Sequence, residues 1–294
     1  MIVRTRFAPS PTGRLHLGHA LAAKVAYDLA KESPGGVFLL RHEDIDGPRV
    51  REEFYQGIEQ DLKWLGFPWD GEPLRQTSRI PAYEEALAKL RERRLVYPCF
   101  CTRRAIQEEW ARMAAAPQGS GSAVYPGTCL KLTEAETVEK LRSGIPHAWR
   151  LDSRKAAAVT GPLGFRDLRF GEIHADPALS GDVVLARKDI GTAYHLAVVV
   201  DDAFQQITHV TRGEDLLEST HVHRLLQELL GLPEPVYLHH QLVLDPHGKR
   251  LAKRDDALAI ATLRERGMTP PQLIRTLPPI TPLRAGAEAV SLKP

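Results

Sequence analysis

The first forty residues constrain the fold most. Ile2 to Phe7 reads as a short strand, and Ala8-Pro9-Ser10-Pro11-Thr12-Gly13 as a rigid turn. Gly18 to Lys31 reads as a helix rich in alanine and leucine, and Val37 to Leu40 as a second buried strand ending in Arg41-His42-Glu43-Asp44. An amphipathic helix follows from about Arg49 to Leu65. Strand, helix, strand, helix predicts an α/β fold, a Rossmann-like doubly wound parallel sheet, in which ligands bind beyond the carboxyl ends of the strands.

After a helix near Ala82 to Arg93 the character changes. Cys99 and Cys101 precede a helix from Arg103 to Met113, and the low-complexity stretch Ala114 to Ser122 reads as a mobile surface loop. Strand-like pieces around Gly161, Gly164 and Gly171 predict an antiparallel insertion between Ala148 and Ile173. The α/β core then resumes with a strand from Asp182 to Arg187, a helix from Ala193 to Asp201, and a strand from Ile207 to Thr211 leading into Arg212. Another strand is expected from Tyr237 to Leu244, one or two short helices between Leu258 and Leu277, and a weakly structured tail from Pro278-Pro279. The expected units are residues 1–96 and 181–244 for the two halves of the core, 97–180 for an insertion, and 245–294 for a loop and short helical segment.

With 294 residues, 43% of them hydrophobic, the chain can bury a sizeable core. Its formal charge of +2 comes from 39 basic and 37 acidic residues, so only local patches speak to nucleic acid. No apolar run approaches the ~20 residues that span a bilayer, and the amino terminus has no apolar signal core. Three cysteines fit a reducing compartment better than a disulfide framework. The expectation is a cytoplasmic protein with no membrane partner, and nothing marks a self-complementary surface, so a monomer is expected.

Two histidines, His16 and His19, bracket Gly18 where the first helix should begin. A helix amino terminus offers unpaired N–H groups and partial positive charge, Gly18 would let a nucleotide approach the backbone, and the imidazoles can donate to phosphate oxygens. The Walker pattern is absent. Read alone, the turn fits equally well as two histidines satisfied inside a core. Lys249 to Arg254, read alone, fits an ordinary solvated loop.

Taken in order, Arg6 to Gly13, His16 to His19, Arg41 to Asp46 and Arg250-Leu251-Ala252-Lys253-Arg254 resemble the class I aminoacyl-tRNA synthetases of the glutamate group, from residue 4 to about 260. In that family the second signature is usually Lys-Met-Ser-Lys-Ser. Lys253 matches its main ATP-contacting lysine, whereas Ala252 and Arg254 depart from the two serines. The resemblance implies catalysis by His16, His19 and Lys253, with Gly18 also in the ATP site. It places Arg6, Tyr194 and Arg212 where the family grips the glutamate side-chain carboxylate, and Ser10 and Glu43 where it holds the ammonium.

Thiolates suit Zn²⁺, and Cys99, Cys101 and Cys129 account for every cysteine. His147 is one possible fourth ligand, and three buried thiols without metal is another reading. The Cys-x-Cys with a downstream Tyr-x-x-x-Cys resembles the zinc site of the glutamyl-queuosine tRNA(Asp) synthetases, which implies Tyr125 as the fourth ligand of a structural Zn²⁺. About 40 residues follow Arg254, too few for an anticodon-reading domain, and that favours the same family. It implies activation of L-glutamate with ATP and Mg²⁺, without tRNA, and transfer to queuosine in the anticodon loop of tRNA(Asp). Arg91, Arg93, Arg94, Arg103 and Arg104 are candidate phosphate contacts or a solvated face. A truncated glutamyl-tRNA synthetase, a catalytically silent tRNA-binding relative and a small-molecule nucleotidylyltransferase are the alternatives.

Overall fold

The computed structural model describes residues 2–114, 124–243 and 259–279. The chain runs through β1 (Arg4–Phe7), α1 (Leu17–Lys31), β2 (Val37–His42), α2 (Glu52–Leu65), β3 (Leu74–Arg75) and α3 (Ile80–Glu92). It continues through β4 (Val96–Cys99), α4 (Arg103–Ala114), α5 (Glu134–Arg142), β5 (Ala148–Leu151) and α6 (Ser153–Thr160). Then come β6 (Leu163–Asp167), β7 (Gly171–Ala175), β8 (Val184–Ala186), α7 (Tyr194–Phe204), β9 (His209–Gly213) and α8 (Leu217–Leu230). The chain ends with β10 (Val236–His240), α9 (Ile260–Glu265) and α10 (Pro270–Thr276).

The parallel sheet expected from the opening residues is present. β1 pairs with β2 in parallel from Arg4↔Val37 to Phe7↔Leu40, and β2 pairs with β3. Such a pairing needs a crossover, and α1 supplies it, burying Ala20, Leu21, Ala23, Val25, Ala26 and Ala30. On the other side, β9 lies parallel to β10 and β10 parallel to β6. The two sheets meet where Thr208 N donates to Arg4 O at 3.0 Å and Arg4 N donates to Thr208 Oγ1 at 2.8 Å. This junction of β1 with β9 is the point where the strand order turns back, and it is where a doubly wound sheet opens a crevice.

A third sheet, antiparallel, joins β4, β5 and β8. Thus the strand expected at Asp182 to Arg187 forms as β8 but pairs with β5, outside the parallel sheet. The stretch from Ala148 is also not all strand: Asp152 Oδ1 accepts from Lys155 N at 2.9 Å and starts helix α6. The β6–β7 hairpin is antiparallel as expected, and its inner strand joins β10, so it extends the main sheet.

Helices α9 and α10 are integral to the first core. Ile260, Leu263, Leu273 and Leu277 pack with α1 and α2, and Arg264 Nη1 meets the buried Asp61 at 3.0 Å. Among the described residues, no helix is long and apolar enough to cross a membrane. The expected surface loop lies outside the described residues except for Ala114, as does the tail from Ile280 onward.

Candidate active site

A cavity of about 730 Å³ opens at the β1–β9 junction. The strand ends converge on it: Phe7 closes β1 and Ala8 to Ser10 follow it, Glu43 follows β2, Arg212 and Gly213 close β9, and His240 to Val243 lead out of β10. His16, Gly18 and His19 reach it from the start of α1, and Tyr194 from the start of α7. The cavity therefore brings together eight of the residues singled out in the sequence, from Arg6 to Arg212.

His16 is the N-cap of α1, and the two imidazoles form a reciprocal cap. Gly18 N donates to His16 Nδ1 at 3.1 Å, and His16 N donates to His19 Nδ1 at 3.1 Å. Because each Nδ1 accepts, each ring carries its proton on Nε2, the atom that can donate to an anion. The histidines thus combine both readings of the sequence, capping the helix and lining the cavity. Gly18 has a local reason too: a Cβ there would stand 3.0 Å from His16 Cε1, so any larger residue would push the ring aside.

Lys253, with Arg250 and Arg254, lies outside the described residues. The chain on either side is described, however, and both ends reach the site. Val243 lines the cavity, while Ala259 forms an antiparallel bridge with His16.

The charged groups form two clusters. In the first, Asp202 of α7 accepts from Arg6 Nε at 2.9 Å and from Arg41 Nη1 at 2.7 Å, and Arg41 Nη2 donates to Glu43 Oε1 at 3.1 Å. Arg6 also donates through Nη2 to Asp202 at 3.4 Å and through Nη1 to Thr211 O at 3.0 Å. Burial would raise Asp202, but the two guanidiniums outweigh it and hold the carboxyl below its usual range. Burial keeps Glu43 above the usual range despite Arg41 and Arg6. An incoming ammonium would therefore favour its ionised form.

The second cluster surrounds Arg212, which no carboxylate pairs among the described residues. It donates to His239 Nε2 at 3.1 Å, to His223 Nδ1 at 2.9 Å, to the Tyr194 hydroxyl at 3.4 Å and to Thr220 Oγ1. Burial, reinforced by the neighbouring guanidinium, lowers His239 and His195 to about 4 and His223 well below its ordinary value. Burial likewise raises Tyr194, so its phenol stays protonated.

Sequence reasoning did not single out Asp202, His223, His239 or Thr220. Two signals were present: adjacent acids in the apolar helix segment Leu196 to Ala203, and the His239-His240 pair at the end of a buried strand. An acid inside an apolar helix face needs a buried cation, and here Asp202 has two.

At the antiparallel sheet, Cys99, Cys101 and Cys129 have their sulfurs within 4.8 Å of one another. The Tyr125 hydroxyl lies 3.4 Å from both Cys99 Sγ and Cys101 Sγ, and Cys101 Sγ is 3.4 Å from Cys129 Sγ. A tetrahedral metal with ~2.3 Å bonds has ligands about 3.8 Å apart, so the four groups fit a metal site. Cys129 N donates to the Tyr125 oxygen at 2.9 Å and Phe100 N to Cys129 Sγ at 3.3 Å, contacts suited to negative ligands. His147 instead packs against Phe100 and Trp149, and does not join the cluster.

The arginines suggested for phosphate contact are partly engaged within the protein. Arg91 stacks 4.3 Å over the Trp149 ring, Arg93 donates to Leu229 O, and Arg104 pairs with Glu108 at 2.7 Å.

Residues 2–282 match the family described as tRNA synthetases class I (E and Q), catalytic domain. A glutamyl-Q tRNA(Asp) synthetase from Rhodobacter capsulatus is 49% identical over 278 residues, covering 93% of this chain and 99% of that protein. A glutamate–tRNA ligase from Aquifex aeolicus is 40% identical over 94% of this chain, which spans 56% of the ligase. A crystal structure of a glutamate tRNA ligase from Elizabethkingia meningosepticum, in complex with its amino acid, superposes with a TM-score of 0.74 at 32% identity. That match covers 87% of this chain and 52% of the ligase.

Proposed function

Since this chain belongs to the class I glutamate and glutamine tRNA synthetases, and within them to the glutamyl-queuosine tRNA(Asp) synthetases, we propose that it activates L-glutamate with ATP and glutamylates the queuosine base of tRNA(Asp). The observation that carries this reading is the cavity at the β1–β9 junction. It holds a helix start bearing two Nε2 donors, a carboxylate at Glu43 and a guanidinium at Arg212 with no carboxylate partner among the described residues.

Glutamate carries one cation and two anions, and each has a complementary group in the cavity. Glu43 and Ser10 receive the α-ammonium; Arg212, Tyr194 and the remaining N–H groups of Arg6 receive the side-chain carboxylate. The α-carboxylate is left facing the start of α1, where ATP with its Mg²⁺ places the α-phosphorus. A carboxylate oxygen attacks that phosphorus in line and pyrophosphate leaves, forming a mixed anhydride. His16 and His19 donate through Nε2 to the oxygens on which charge builds, with Lys253 supplying a further positive charge. A hydroxyl of the queuosine diol then attacks the acyl carbon and AMP departs. Positioning and a good leaving group carry this second step.

Cys99, Cys101, Tyr125 and Cys129 would hold Zn²⁺, which would pin β4 to the segment around Tyr125 and supply structure rather than chemistry. The test of the reading is glutamate-dependent exchange of labelled pyrophosphate into ATP with no tRNA present. The expected result is exchange with glutamate at many times the rate without it. Absence of exchange overturns tRNA-independent activation.

A further inference from the structure

The Arg212 guanidinium is buried, yet the groups it touches among the described residues are neutral. An arginine only donates hydrogen bonds. His239 Nε2, 3.1 Å from Arg212 Nε, must therefore accept, and His239 carries its proton on Nδ1, which donates to Asp167 Oδ2 at 2.6 Å. By the same logic His223 Nδ1 accepts from Arg212 Nη1 at 2.9 Å, and its Nε2 proton points to His195 Nδ1 at 3.1 Å. Neither imidazole can be protonated while both of its contacts persist. Thr220 Oγ1 accepts from Arg212 Nη2 and also lies 3.0 Å from His239 Nε2.

These contacts occupy one N–H on each of the three guanidinium nitrogens. The second Nη2 proton, and the Nη1 proton with only a 3.4 Å contact to the Tyr194 hydroxyl, are left for the cavity. Two N–H groups on one fork match a carboxylate. Register makes this rigid: Arg212 of β9 pairs with His239 of β10, whose backbone N–H also donates to Asp167 at 3.1 Å. Asp167, the nearest anion in this chain of contacts, is one imidazole removed and already accepts from Arg169 N and Phe170 N. His223 and His239 do not line the cavity, whereas Arg212 does.

We propose that His239 and His223 are positioning residues that hold the Arg212 fork toward the cavity without matching its charge, so that the site selects an anionic side chain over its amide. A buried cation without an anion is costly, and glutamate relieves that cost where glutamine does not. Glutamine must also turn its carbonyl to one N–H and present its own NH₂ to the other, donor against donor. This inference rests on the reading of Arg212 as the partner of the substrate's side-chain carboxylate.

The test exploits the different atoms the two histidines use. At position 239 the acceptor is Nε2, which a glutamine oxygen can replace and an asparagine oxygen is too short to reach. At position 223 the acceptor is Nδ1, and the preference reverses. Full-length H239Q, H239N, H223N and H223Q are compared in glutamate- and glutamine-supported pyrophosphate exchange. H239N and H223Q are expected to raise the glutamate KM about tenfold and lower the glutamate-to-glutamine preference about tenfold, with the ATP KM within about twofold. H239Q and H223N should keep the glutamate KM within about threefold of the unaltered protein.

A crossed pattern of this kind supports positioning. Equal effects of Asn and Gln at each position, parallel rises in both KM values, or failure of all four variants to fold would assign the histidines a packing role and overturn the proposal. Should only one pair fold, the other position's reversal is replaced by the KM split within that pair. If the unaltered protein shows no glutamate-dependent exchange, the assigned function fails first, an outcome distinct from exchange without the crossed pattern.

Discussion

The backbones of His16 and Ala259 are paired across an antiparallel bridge, although they lie 243 positions apart in the chain. Ile260 N adds a hydrogen bond to Leu15 O at 2.8 Å. The segment bearing Lys253 therefore leaves from a cavity residue, Val243, and rejoins the fold at the helix start that carries both histidines. Lys253→Ala is expected to lower kcat for pyrophosphate exchange about 100-fold while leaving the glutamate KM within about threefold, the signature of a group acting on transition-state charge. An unchanged kcat would contradict the role.

The two functions of His16 are separable. Asparagine is a good N-cap but has no donor where Nε2 stands, so His16→Asn should retain stability within about 0.5 kcal/mol and still lose about 100-fold in exchange rate. His16→Ala removes the cap as well and should cost about 1 kcal/mol more in denaturant unfolding. Equal stability of the two variants would show that the cap seen at Gly18 N carries no weight.

The metal site predicts a stoichiometry. Elemental analysis of purified protein should give close to one zinc per chain, and Cys129→Ala should lower zinc content at least about tenfold and lower the melting temperature. Cys129 is buried against Phe100 N and Tyr125, so the loss should loosen the junction with β4 before it touches exchange chemistry. Zinc-free protein with normal folding and activity would remove the structural role.

Acid should destabilise the fold before it protonates most carboxylates. Burial lowers His42, His195 and His239 to about 4, and His223 well below its ordinary value, with Arg75 beside His42 and Arg212 beside the others adding to it. Unfolded histidine titrates near ~6.5, so the stability these groups confer is fully present above that value and is lost as pH falls toward their folded values. At pH ~5.5 each costs about 1 kcal/mol. Asp61 acts in the opposite sense: burial raises it to about 6, so its penalty fades as pH drops below that value. Glu43, raised by burial, acts in the same sense as Asp61, but burial also lowers His209, His221 and His240, so the histidines outnumber the two acids. Unfolding free energy from denaturant titration should therefore fall between pH 7.5 and 5, and a flat or rising profile would contradict the assignment.

What was legible in the sequence was local. The strand–turn–helix from Ile2 to Lys31, the strand at Val37 and the helices near Ala82 and Arg103 are set by residue periodicity and turn chemistry within a few residues of one another. So was the clustering of Ser10, His16, Glu43 and Arg212, because strand ends in a parallel sheet meet at one edge. The less legible features depend on partners distant in sequence. Nothing near Asp202 announces Arg6 and Arg41, and nothing near His239 announces Arg212 or Asp167. β8 is as apolar as a core strand, and only its partner β5 decides which sheet it joins. At α6, glycines suggested strand, but Ala156 to Ala158 are helix formers and Asp152 provides the cap.

The claim that joins sequence, fold and cavity is glutamate transfer to a modified base. It is tested most directly by charging queuosine-containing tRNA(Asp), queuosine-free tRNA(Asp) and tRNA(Glu) with labelled glutamate under identical conditions. Label on the queuosine-containing tRNA(Asp) alone is the predicted result; label on tRNA(Glu), with none on modified tRNA(Asp), would contradict it.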